Sequence, residues 1–162
     1  MRPTLLTLLV SAFIYFFSCQ QPATNPSSSL TADSLHKLMA QYEPGLGEIM
    51  GGIQTHHAKL WYAAINDNWD LAQYEIDELK ERFEQARNTE ERPEVKMIPM
   101  IYPAIDSVAA AIKEKSLDKF KSSFQTLTTT CNSCHSDNNF SFNVITIPTA
   151  PPVTNQDFKV KK

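Results

Sequence analysis

Near the end of the chain stands Cys131-Asn132-Ser133-Cys134-His135. On a helix, thiols three residues apart and an imidazole one residue further share one face. Such a set can add its two sulfurs to the two vinyl groups along one porphyrin edge and offer a nitrogen to the iron. The pattern is the attachment signature of a c-type haem. The chain has three cysteines and four histidines in 162 residues. At that composition the pattern arises by chance in roughly one chain in a thousand, so coincidence is the weaker explanation.

Other cysteine chemistries compete for the same residues. In an oxidising compartment a CxxC can be a structural disulfide, here Cys131–Cys134, or a thiol oxidoreductase site. The latter follows a strand and opens a helix, whereas this one closes a helix in an all-α pattern. A closed structural zinc site needs four ligands, and no second CxxC or paired-histidine motif accompanies the first.

The elements that must position the motif are helical. Four apolar stripes recur at spacings of three and four residues. They are Leu46, Met50, Ile53, His57, Leu60, Ala64; then Ala72, Ile76, Leu79, Phe83, Ala86; then Val95, Ile98, Tyr102, Ile105, Ala109, Ile112; and finally Leu117, Phe120, Phe124, Leu127, Cys131, Cys134. Asn66-Asp67-Asn68, Asn88 to Pro93, and Glu114-Lys115-Ser116 break the runs, with Ser116 placed as an N-cap. Pro99 and Pro103 remove backbone donors inside the third stripe, which must start at one of them or kink. Leu30 to Tyr42 adds a short leading helix. The expected fold is all-α, an up-down-up-down four-helix bundle over residues 44–140 with the CxxCH at its C-terminal end. Residues 141–162 form a tail. Asn143 to Phe158, β-branched and rich in proline, is either extended against the bundle or loose.

The first 18 residues are set apart. Arg2 precedes an almost unbroken apolar stretch, Leu5 to Phe17, of 13 residues. That is short for a membrane span and right for a signal peptide. Phe16-Phe17-Ser18-Cys19 resembles a bacterial lipobox, which makes Cys19 a lipidation site and accounts for the odd cysteine. Residues 19–43 then serve as linker and short helix, and polar Gln20 to Ser29 tethers the domain to a membrane. The chain is expected on the periplasmic side, lipid-anchored, with Gln20 after Cys19 favouring the outer membrane. A formal charge of −3 supplies no basic field for nucleic acid.

Four amphipathic helices with CNSCH closing the last resemble the four-helix-bundle cytochromes c, the cytochrome c-prime class, over roughly Pro44 to Phe140. The resemblance implies one covalent haem c between the first and last helices, thioether-linked to Cys131 and Cys134, with His135 as proximal iron ligand. It places the residue facing the iron from the other side early in the first helix. Met50 matches that place; His57, on the same face, is the alternative distal ligand. His56 is expected to face solvent. Two features depart from the class: the chain runs on for 27 residues after His135, and Ser136-Asp137-Asn138-Asn139 lacks the usual basic residue. Propionate contacts are therefore expected from Lys59 or the tail. Trp61, Tyr62, Trp69 and Tyr74 are candidates to shield a haem edge or to anchor helix packing.

The implied function is electron transfer with redox partner proteins, without enzymatic activity; a homodimer is a further candidate assembly. Glu75, Asp77, Glu78, Glu81 and Glu84 fit a solvated helix face that a basic partner could meet. The alternatives are a five-coordinate haem protein binding gases such as nitric oxide, and a haem-free module with the Cys131–Cys134 disulfide.

Overall fold

A computed structural model describes residues 31–89 and 92–160. The expected signal peptide, the lipidation site Cys19 and the Gln20–Ser29 tether lie outside the described residues. The described part is all-α, and no strand occurs among those residues. The chain divides into a leading unit ending at Tyr42 and a second unit, Glu43–Lys162.

The leading unit contains helix α1, Ala32–Tyr42. Its start is set by Thr31, whose hydroxyl accepts from Ser34 N at 3.2 Å.

The second unit holds α2 (Leu46–Ile65), α3 (Trp69–Arg87), α4 (Pro93–Met97), α5 (Tyr102–Lys113) and α6 (Leu117–Asp137). A 3-10 turn, Ile98–Ile101, joins α4 to α5. The third stripe is thus broken in the middle rather than started late. Pro93 and Pro103 sit in first turns, where a missing donor costs nothing, and Pro99 sits in the 3-10 turn. The span Pro93–Lys113 is long and apolar enough to cross a bilayer. Many of its apolar side chains, among them Val95, Ile98, Ile105 and Val108, are buried in this unit's core, while Met100 is exposed.

Three helices end in the same way. Asp67, Lys115 and Asn139 take positive φ (57°, 51° and 65°). In each case the next amide reaches back to the carbonyl five residues earlier: Asn68 to Ala63, Ser116 to Ala111, Phe140 to His135. This is the Schellman closure, made here without glycine. The α2–α3 connection is then completed by the Asn68 side chain, which accepts from Leu71 N at 3.2 Å. Ser116 does occupy the N-cap of α6, but its hydroxyl makes no cap bond.

The core follows the stripes. Leu60, Ile76, Leu79, Ile105, Phe120, Phe124 and Leu127 are all buried. On α5 the buried face is wider than expected, with Ala104, Val108 and Ala111 inside and Ala109 only half-buried, because this helix packs against both α3 and α6. Between α2 and α6 the contacts are sparse and ordered. His57 meets Thr128, and Trp61 lies 5.1 Å from Phe124 and 6.1 Å from Phe120 between ring centroids. Rising numbers on α2 meet falling numbers on α6, so the two helices are antiparallel.

Two expectations about charge are corrected. Glu75 is fully buried rather than solvated, and His56 is not solvent-facing: its Nδ1 lies 2.7 Å from Glu75 Oε2. Lys59 Nζ stands 4.0 Å from the other oxygen, Oε1. A carboxylate taken from water needs such partners, and it drew both from α2. Asp77 and Glu81 do face solvent, while Glu78 and Glu84 are half-buried.

Beyond α6 the tail has no regular structure but lies along the unit. Ile147 packs against the core, and Phe158 is buried with its ring 5.7 Å from Tyr62.

Candidate functional site

The sparse α2–α6 contact leaves a cavity of about 400 Å³. That falls in the range of cofactor pockets. Helix α2 contributes Leu46, Met50, Ile53 and His57 to its wall, α3 Leu79 and Phe83, and the α4 region Met97, Ile98 and Ile101. Facing them are Leu127, Cys131, Cys134 and His135 of α6, with Phe140, Asn143 and Ile145 from the tail. Met50, His57, Cys131, Cys134 and His135, the residues singled out for attachment and ligation, therefore line one mostly apolar space.

The register follows from the His57–Thr128 contact. Met50 is seven residues before His57, and His135 is seven after Thr128. On antiparallel helices each step amounts to about 10 Å. Met50 and His135 thus stand level across the cavity, and His57 stands a full two turns away.

The two imidazoles are in different chemical situations. His135 is half-buried, and its Nδ1 lies 2.6 Å from the Asn143 carbonyl. A carbonyl only accepts, so Nδ1 donates, and in the neutral ring it is Nε2 that carries the lone pair. His57 is buried on the Phe124 ring, with Nε2 2.9 Å from Thr128 Oγ1. The Thr128 hydroxyl donates to Phe124 O at 2.9 Å, so His57 Nε2 is the donor in this pair. Burial pushes the His57 pKa down to about 4, which keeps the ring neutral.

Cys131 and Cys134 are both half-buried thiols, unbridged. Burial pushes Cys131 up to about 12 and also raises Cys134, where Asn138 acts in the opposite sense through a hydrogen bond. The Asn138 amide donates to Cys134 O at 2.8 Å and lies 3.3 Å from Met97 Sδ.

The cavity wall also includes Gly47 and Gly51. A Cβ built on either meets nothing within 4 Å. Glycine inside a helix costs up to about 1 kcal/mol against alanine, and here it leaves a flat recess beside Met50.

Comparison with protein-family models, with curated proteins and with solved structures gives no match. The assignment of the site therefore stands on its donor set and shape.

That set fits a haem. Two sulfurs and an imidazole with an available Nε2 stand on α6, a thioether stands opposite, the walls are apolar, and a glycine recess leaves room for a flat ring. No cluster of three or more His, Cys, Asp or Glu able to hold a bare metal ion occurs among the described residues.

Some expected neighbours are elsewhere. None of Trp61, Tyr62, Trp69 and Tyr74 lines the cavity. Trp61 and Trp69 pack on Phe120, Tyr62 on Phe158, and Tyr74 is exposed. The aromatic wall is Phe83 and Phe140. Lys59 is engaged with Glu75, and the cation at the cavity is Arg92. The tail does reach the cavity, through Phe140, Asn143 and Ile145. Met97 and Asn138 were not anticipated there. Met97 lacks the signal of Met50: it falls between Val95 and Ile98, off the apolar stripe, beside the prolines that obscure the helix.

Proposed function

We propose that this chain is a c-type cytochrome carrying one covalent haem c, with Cys131 and Cys134 as thioether attachment points and His135 as proximal ligand. The observation that carries the reading is the common cavity: the CxxCH set on α6 faces Met50 on α2 at one height. Met50 is the distal ligand in this reading. His57 is the weaker candidate, because its Nε2 is engaged by Thr128 and it lies at another level. The haem-bearing part is a four-helix bundle of up-down-up-down type, with α4, the 3-10 turn and α5 acting as its third helix.

A bound haem would supply a one-electron redox centre. The chain's part is to hold and tune it. Apolar walls disfavour the extra charge of ferric iron, and methionine opposite histidine raises the potential relative to two histidines. The Nδ1–H bond to Asn143 orients the His135 ring, and Arg92 in the cavity wall carries a charge of the sign that would suit a propionate. Electron transfer to redox partner proteins is the role these features support, in a non-enzymatic lipoprotein anchored through Cys19 on the periplasmic side, at the outer membrane. A thiol oxidoreductase is disfavoured, because such sites need a lowered thiol pKa and both thiols here are raised.

Protein matured in a host able to attach haem c should give a pyridine haemochrome spectrum of thioether-linked haem. Its reduced spectrum should stay unchanged on adding carbon monoxide, and Met50→Ala should make it respond. A colourless product with Cys131 and Cys134 joined would overturn the reading. A wild-type response to carbon monoxide would instead assign the five-coordinate, gas-binding alternative.

A further inference from the structure

Asn132, the residue after the first cysteine, grips the backbone of the returning tail at two points. Its Oδ1 accepts from Ile145 N and its Nδ2 donates to Ile145 O, both at 2.8 Å. Two residues earlier in the tail, the Asn143 carbonyl takes the Nδ1–H of His135 at 2.6 Å. Asn132 and His135 are three residues apart on α6, hence neighbours on one side of the helix, and the tail passes over that side.

An unconstrained histidine populates both neutral tautomers, and only the one with hydrogen on Nδ1 presents Nε2 as a ligand. The carbonyl that makes this choice belongs to a segment without regular structure. Its far end is tied at Phe158, whose carbonyl accepts from Asn68 Nδ2 at 3.2 Å. That tie is too distant to place Asn143 to a fraction of an ångström. Two nearer ties flank that carbonyl: Asn143 N donates to Phe140 O at 2.8 Å on one side, and Asn132 holds Ile145 on the other.

We propose that Asn132 is a positioning residue for His135: by holding Ile145 it keeps the Asn143 carbonyl on Nδ1 and so reserves Nε2 for ligation. The purpose of this arrangement rests on the haem reading, whereas the tautomer itself is a property of the chain. With haem bound, donation from Nδ1–H makes the imidazole a more basic ligand and favours the ferric state. Releasing it should raise the reduction potential.

The test uses the full chain with reduced thiols and ¹⁵N-labelled histidine, read by imidazole ¹⁵N shifts above pH 8. The wild type should show His135 Nδ1 protonated and Nε2 unprotonated. In Asn132→Ala both nitrogens should move toward averaged values while helical circular dichroism is retained. Asn132→Asp keeps the acceptor for Ile145 N and loses the donor, so it should fall between the two. If Asn132→Ala loses helicity, the Asp variant decides by the same shifts. A wild type with its hydrogen on Nε2, or a His135 signal that neither variant moves, overturns the positioning role. In haem-loaded protein Asn132→Ala should have the higher potential, and an unchanged value also overturns it. Failure of the chain to take up haem would overturn the haem reading and leave the tautomer result standing.

Discussion

His57 and Thr128 share a 2.9 Å hydrogen bond whose direction is fixed, because the Thr128 hydroxyl spends its own hydrogen on Phe124 O. The bond ties the buried His57, kept neutral by its burial, to α6 at the point where the α2–α6 gap closes. Below it the gap is filled by Trp61 on Phe124; above it lies the cavity.

That burial makes stability depend on pH. The folded pKa of His57 is about 4 against 6.5 unfolded. Above pH 6.5 the ring is neutral in both states and nothing is lost. Between 6.5 and 4 only the unfolded chain takes up the proton, so stability falls as pH falls, by about 3 kcal/mol in all, and levels below 4. Urea unfolding from pH 7.5 to 4.5 should show this slope. His57→Leu should flatten it, and an unaltered slope in that variant would assign it to other groups.

The same turn of α2 carries the pair His56–Glu75. Glu75 is fully buried, and apart from Lys59 at 4.0 Å its Oε1 has no partner. Removing His56 leaves a buried carboxylate with only Lys59 at 4.0 Å to meet it. His56→Ala should therefore cost about 3 kcal/mol or more, while the double change His56→Leu with Glu75→Leu should cost much less. Denaturant midpoints of the three proteins decide the point. A double variant as weak as the single would mean that the loss is one of packing, not charge.

How much of this was legible in the sequence depends on what kind of group does the work. The stripes placed α2, α3 and α6 because a packed helix face must repeat at 3.6 residues, and CNSCH was expected at the end of α6, where it lies. Glu75 was misread although the signal was present: it lies three residues after Ala72 and four before Leu79, on the apolar stripe, and only its charge suggested solvent. The tail was harder. Its contribution to the site is a backbone carbonyl at Asn143 and a backbone amide and carbonyl at Ile145, and main-chain groups carry no residue signature. The level of Met50 against His135 was expected from an antiparallel pairing of the first and last helices, and one cross-helix hydrogen bond supplies the register.

Gly51 offers a test that separates helix propensity from cavity shape. A Cβ there meets nothing, so Gly51→Ala should stabilise the haem-free chain by about 0.5–1 kcal/mol. Gly51→Leu should fill the recess beside Met50 without unfolding the helix. It should lower covalent haem incorporation sharply, read as haem absorbance per protein. Full incorporation in the leucine variant would mean that the ring lies elsewhere.

Lys115 closes α5 at φ 51°, a conformation that costs a side chain with a Cβ about 1 kcal/mol or more. Its backbone already makes the closing bonds, Lys115 N to Ile112 O at 2.9 Å and Ser116 N to Ala111 O at 3.1 Å, so glycine there would keep the geometry and shed the strain. The residue is exposed, and no core contact is lost with it. Lys115→Gly should therefore raise stability by about 0.5–1 kcal/mol, after allowing for the greater freedom of glycine in the unfolded chain. Asp67→Gly and Asn139→Gly should gain less, since Asp and Asn tolerate the left-handed region better than lysine does. If thermal unfolding ranks the three the other way, the positive φ at Lys115 is not the source of strain, and the α5–α6 turn is held by something other than its backbone closure.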